Sequence, residues 1–117
     1  MGIFSFFRRS DRTNVKVNQI SAEQLKQVMQ SPRDKIFIDV RTKDEFKANH
    51  IRNFNNIPLA NLPNHLSKLD KQKEIYVICQ SGGRSSSACS LLKKEGFKKI
   101  YNVMGGMSAW DRIKNSK

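Results

Sequence analysis

A chain of 117 residues suffices for one domain around one hydrophobic core, and 38% apolar with 27% charged residues is a globular composition that excludes wholesale disorder. No apolar run approaches the roughly 20 residues of a bilayer-spanning helix, and two cysteines exclude a disulfide framework, so reduced thiols and a cytoplasmic location are expected. Twenty-two basic against ten acidic residues leave a net charge of +12, which favours anionic partners without naming one.

Residues 1–14 read as a basic, flexible leader, and residues 15–117 as the folded domain. Val15 to Ile20 alternates as a short strand does. Ser21 followed three residues later by Gln24 is a capping box, opening a helix with Leu25, Val28 and Met29 on one face. Ser31-Pro32-Arg33-Asp34 breaks that helix. Ile36 to Val40 is a continuous apolar run too short for a helix, hence a buried parallel strand. A short helix over 42–48 follows, then an extended segment from Asn53 to Pro58. Leu59, Leu62, Leu66 and Leu69 carry helical spacing. Ile75 to Ile78 is the next buried strand, and a helix over 84–95 ends at Gly96. Lys99 to Val103 forms the last strand, Gly105-Gly106 a turn, and 107–115 a closing helix. Strands alternating with helices at this spacing give an α/β fold with a parallel sheet.

Chemistry concentrates at Cys79-Gln80-Ser81-Gly82-Gly83-Arg84-Ser85. Open α/β sheets bind ligands beyond the carboxyl ends of their strands, and Cys79 is placed there, before a glycine-containing turn into a helix. Successive backbone amides in such a loop form an anion-binding nest, and the helix N-terminus adds positive potential. Both favour thiolate over thiol, and Arg84 would add a third contribution. An inert buried cysteine closing the strand is the competing reading of the same residues.

The loop, together with Ala88, Leu91-Leu92, Gly96-Phe97 and Val103-Met104-Gly105-Gly106-Met107-Ser108-Ala109-Trp110, resembles the single-domain rhodaneses. Ile38-Asp39-Val40-Arg41, Glu45-Phe46, His50-Ile51 and Asn56-Ile57-Pro58 resemble the first signature of that family, so the likeness spans about residues 16–111. Asn49 departs from it, standing where the family usually has glycine, and a left-handed backbone is expected there.

The resemblance implies a rhodanese-like five-stranded parallel sheet with helices on both faces. It also implies a sulfurtransferase, and neither a cofactor nor a metal is expected. Cys79 would attack the sulfane sulfur of a small anionic donor such as thiosulfate, and the resulting persulfide would pass its sulfur to cyanide, a thiol or a protein. The amides from Gln80 through Ser85 would surround the charged outer sulfur, with Arg84 attracting the donor and Asp39 and Arg41 supporting the site.

Two alternatives stand beside this reading. One is a persulfide carrier serving a partner protein. The other is a Cys-Arg phosphatase or arsenate reductase, against which the spacing argues: Cys79 and Arg84 enclose four residues, the sulfurtransferase count, where phosphate-binding loops of the related phosphatases carry one more.

The remaining candidates read as structural. Cys89, on the helix of Ala88 and Leu91-Leu92, is core filler, and Trp110 is a core anchor. His50 is a hydrogen-bonded turn residue, and His65 lies on an exposed helix face. No cysteine or histidine pair has metal-ligand spacing, and neither glycine pair matches a nucleotide fingerprint. Charge without interleaved aromatics carries no nucleic-acid reading.

Overall fold

Short apolar runs become strands buried on both faces, and the amphipathic segments between them become the layers that cover those faces. The computed structural model describes residues 15–114. The strands are β1 (Val17–Ile20), β2 (Lys35–Asp39), β3 (Asn55–Asn56), β4 (Glu74–Ile78) and β5 (Lys99–Val103). All pair in parallel, in the order β1-β5-β4-β2-β3. The α-helices are α1 (Ala22–Val28), α2 (Lys43–Ala48), α3 (Gly83–Lys94) and α4 (Gly106–Ile113), and a 3₁₀ helix runs from Leu59 to Lys68. The fold is the α/β sheet expected from the sequence. The leader, and the end of the closing helix at residue 115, lie outside the described residues.

Strand alternation divides the core. Ile38, Ile75, Val77 and Ile100 face one side, where Leu62, Leu66, Ala88, Cys89, Leu92 and Phe97 cover them. Phe37, Tyr76, Ile78 and Val103 face the other, against Leu25, Ile51, Phe54 and Met107, with Trp110 packed on the margin. Tyr76 stacks on both Phe37 and Tyr101, tying three adjacent strands on this face. The helices therefore lie on both faces, with β4 central and its carboxyl end delivering the chain directly into Cys79.

Local signals place the helices. Ser21 and Gln24 form the reciprocal capping box of α1, and Thr42 and Glu45 form a second one that starts α2. Two expectations change. The segment from Asn53 to Pro58 keeps only two paired residues, because Asn53 turns left-handed with φ of 74° before β3. The leucine-spaced segment is a 3₁₀ helix with no side-chain cap, and Pro63 inside it can donate no backbone hydrogen bond. Leu62 and Leu66 still reach the core, which is what the spacing required.

Candidate active site

Cys79 leaves β4 and the chain turns at once into α3, with Gly82 as the residue before the helix. Gly82 has φ of 117°, a backbone conformation open mainly to glycine, and no side chain caps the helix. The cysteine sulfur takes that place. The Gly82 amide donates to Cys79 Sγ over 3.0 Å, and Ser85 Oγ lies 3.4 Å from the same sulfur. Ser85 also donates to the Gly82 carbonyl over 3.1 Å, so its single hydroxyl proton can serve either acceptor. With a thiol, Cys79 donates to Ser85; with a thiolate, Ser85 can turn and donate to sulfur.

Burial alone would raise the Cys79 pKa. Hydrogen bonds from the Ser85 hydroxyl and from the amides of Ser85, Gly82 and Ser81 outweigh it, and the thiol is held below its ordinary value. The loop thus supplies what a thiolate needs, several donors converging on one atom with little water to compete.

The loop is itself held from two sides. On one, Met107 N donates to Cys79 O over 2.8 Å and Ser108 N donates to Gln80 O over 3.1 Å, so the first turn of α4 satisfies the loop's carbonyls. Gly106 makes that approach possible. A Cβ there would fall 2.8 Å from both the carbonyl carbon and oxygen of Gln80 and run into Cys79 O. Gln80 Nε2 donates to Ser108 Oγ as a further tie.

On the other side stands Arg41. Its Nε and one terminal nitrogen grip the fully buried carboxylate of Asp39, a pair closed at 2.8 Å. The same terminal nitrogen donates to Asn49 O over 2.6 Å, and the other reaches Gln80 Oε1 over 3.3 Å. Asn56 donates to the carbonyls of both Asp39 and Arg41. A buried ion pair supplied with this many additional hydrogen bonds is compensated for the water it has lost.

The resemblance gives Arg84 the role of attracting the donor. The structure joins it to Glu45, one terminal nitrogen donating to each carboxylate oxygen, over 2.7 and 2.9 Å. The Arg84 hydrogen bond, followed by the Thr42 amide, holds the Glu45 carboxyl at about 2. Gln80, Ser81, Gly82, Gly83, Arg84 and Ser85 thus form one continuous turn beyond Cys79, with Asp39 and Arg41 beside it. The sequence places Glu45 only within the family signature and Gly106 only in a turn. A signal for Glu45 was present in Thr42-x-x-Glu45; for Gly106 there was only the glycine pair.

Asn49 corrects a further expectation. Its φ of −169° is ordinary extended backbone, and this orientation presents the carbonyl that Arg41 grips. Its side chain donates to Asp111. His50 Nδ1 lies 2.7 Å from Phe46 O and the ring stacks on Phe46. His65 is half-buried, with Nδ1 2.9 Å from Asn61 O, so it is less exposed than the spacing suggested. Cys89 is as buried as Cys79, and burial, with the nearby Cys79 charge, pushes its thiol up to about 12. Among the described residues no group of three or more metal-ligating side chains comes together.

Known proteins resemble this chain in sequence and in fold. Residues 21–113 match the model of the rhodanese-like domain. A Bacillus subtilis protein described as "Putative sulfur carrier protein YrkF" is 39% identical over 94 residues, covering 80% of this chain and 51% of that protein. This chain thus spans about half of that relative. A sulfurtransferase from Allochromatium vinosum is 32% identical over 96 residues, covering 82% of this chain and 90% of its own length. The crystal structure of a rhodanese-like domain protein from Staphylococcus aureus superposes with a TM-score of 0.74 at 31% identity, covering 80% of this chain and 91% of the other.

Proposed function

This chain belongs to the rhodanese-like family, and we propose that it works as a sulfurtransferase that carries a sulfane sulfur as a persulfide on Cys79. The observation that carries the reading is the convergence of the Gly82 amide and the Ser85 hydroxyl on Cys79 Sγ at the start of α3. A nest aimed at one sulfur suits an anion of one atom's width. With thiosulfate, the Cys79 thiolate attacks the outer sulfur, a new S–S bond forms, and sulfite leaves with the electron pair of the broken bond. The outer sulfur then carries the negative charge and needs the donors that had held the thiolate. Attack on it by cyanide or a thiolate forms the product bond and returns the electron pair to Cys79. No proton or external electron is required in either half.

Asp39 and Arg41 act as positioning residues, fixing Gln80 and so the entrance to the loop. Thiolate chemistry of this kind suits a reducing compartment such as the cytoplasm, and both cysteines are free. Similarity to a named sulfur carrier favours a second form of the same chemistry, in which the acceptor is a thiol on a partner protein. The experiment is intact-mass measurement after incubation with thiosulfate. One added sulfur, removed by cyanide and absent from Cys79→Ser, is expected. A protein that takes up no sulfur, or takes it up equally without Cys79, would refute the proposal.

A further inference from the structure

An arginine recognises a sulfonate or phosphate because its planar fork offers two parallel N–H donors to two oxygens. Both arginines at this loop have that fork filled. Arg84 gives one terminal nitrogen to each oxygen of Glu45, and Arg41 spends Nε and a terminal nitrogen on Asp39. The charge of each guanidinium is balanced in the same stroke. Glu45 is anchored for this role, since the amide of Thr42 donates to it over 2.9 Å and fixes it at the start of α2. A donor approaching Cys79 therefore meets a loop amide already aimed at the cysteine sulfur, and guanidiniums whose charge is balanced, with both terminal nitrogens of Arg84 spent on Glu45.

We infer that Glu45 is a specificity-determining residue: by occupying the Arg84 fork it disfavours donors that carry a sulfonate group and favours persulfides of carbon-bound thiols. The inference rests on the sulfurtransferase reading and narrows its donor. A persulfide, R–S–S⁻, presents a single terminal sulfur with one charge and asks for no fork. Cys79 attacks that terminal sulfur, the new S–S bond forms, and R–S⁻ departs with the electron pair of the old bond. Thiosulfate offers the same outer sulfur but brings three oxygens and two charges, and competes with Glu45 for the terminal nitrogens of Arg84. The ion pair is half-exposed, which leaves it within reach of an incoming donor.

Glu45→Gln tests this, because glutamine preserves the capping box while removing the charge that holds Arg84. The quantity read is kcat/KM for thiosulfate divided by kcat/KM for glutathione persulfide, with one acceptor throughout. The ratio is expected to rise at least about five-fold in the variant, chiefly through a lower KM for thiosulfate. Its decline with salt should also steepen, because a freed cation is screened where an ion pair is not. The rise should vanish in Glu45→Gln/Arg84→Ala. A ratio that does not rise, or that rises as much without Arg84, overturns the inference.

A measurement on the unaltered protein guards against a variant that fails to fold. Inorganic sulfate, which has the oxyanion and no transferable sulfur, should inhibit competitively only at concentrations about ten-fold or more above the thiosulfate KM. Inhibition near that KM overturns the inference. Absence of any added sulfur from either donor overturns the sulfurtransferase reading and this inference together, whereas sulfur uptake with an unmoved ratio overturns this inference alone.

Discussion

Cys79 and Cys89 are each 1% exposed, ten residues apart, and shifted in opposite directions. Cys89 lies inside α3, where backbone amides are committed to the carbonyl four residues back and none is left for sulfur. Cys79 lies just before that helix, among amides that have no intrahelical partner. Removal from water penalises both thiolates. Only at Cys79 does the chain return hydrogen-bond donors for those lost, so what separates a reactive thiol from core filler here is the supply of unspent amides rather than depth.

The comparison can be broken most directly at Cys79. Cys79→Ser should lower sulfur uptake at least about a thousand-fold while leaving the thermal unfolding curve in place, because serine fills the same volume but is no nucleophile at neutral pH. Retained uptake would move the chemistry elsewhere. Gly106→Ala attacks the support from α4. A side chain there must displace the backbone of Cys79 and Gln80 and also occupy a left-handed conformation, so a stability loss of about 2 kcal/mol or more is expected, with weaker persulfide formation. Thermal denaturation beside the uptake assay checks it, and an unshifted transition would show that the loop yields freely.

Ser85→Ala sharpens the comparison by making Cys79 more like Cys89. A hydrogen bond to a charged group contributes about 1.5–3 kcal/mol, so its loss should lower the acid dissociation constant of the thiol at least about ten-fold. The sign follows from the lowered thiol: wild-type uptake should rise with pH through an inflection below that of a free cysteine, and the variant's inflection should move upward. A pH profile of alkylation or uptake measures this, and coincident profiles would remove Ser85 from the account. The smallest effect belongs to Cys89→Ala, with uptake changed less than about two-fold and stability reduced by about 1 kcal/mol. Loss of persulfide in a folded Cys89→Ala protein would erase the distinction between the two thiols.

Much of this was legible because it is local. The capping box at Ser21 and Gln24 needs four consecutive residues, and the buried strands at Ile36 and Ile75 need only uninterrupted apolar runs. Cys79 announced itself in the same way, at the end of such a run and before two glycines. The partner of Arg84 was not legible, since Glu45 lies 39 residues earlier and is brought across only when β2 pairs with β4. Asn49 was misread for a related reason: its tolerance of a left-handed backbone is a local property, but the tertiary demand at that position is a carbonyl for Arg41.

By itself the sequence determined the parallel sheet, the alternation of strands and helices, and the cysteine loop, because periodicity and turn chemistry act over a few residues. Only the tertiary structure decided how that loop is charged and held. It placed Gly106 against the Gln80 backbone, Arg41 beneath the Gln80 side chain, and Glu45 in the fork of Arg84. A hydrogen bond or ion pair depends on distances of about 3 Å, which residue types alone do not specify and which exist only once the strands that carry the partners lie side by side.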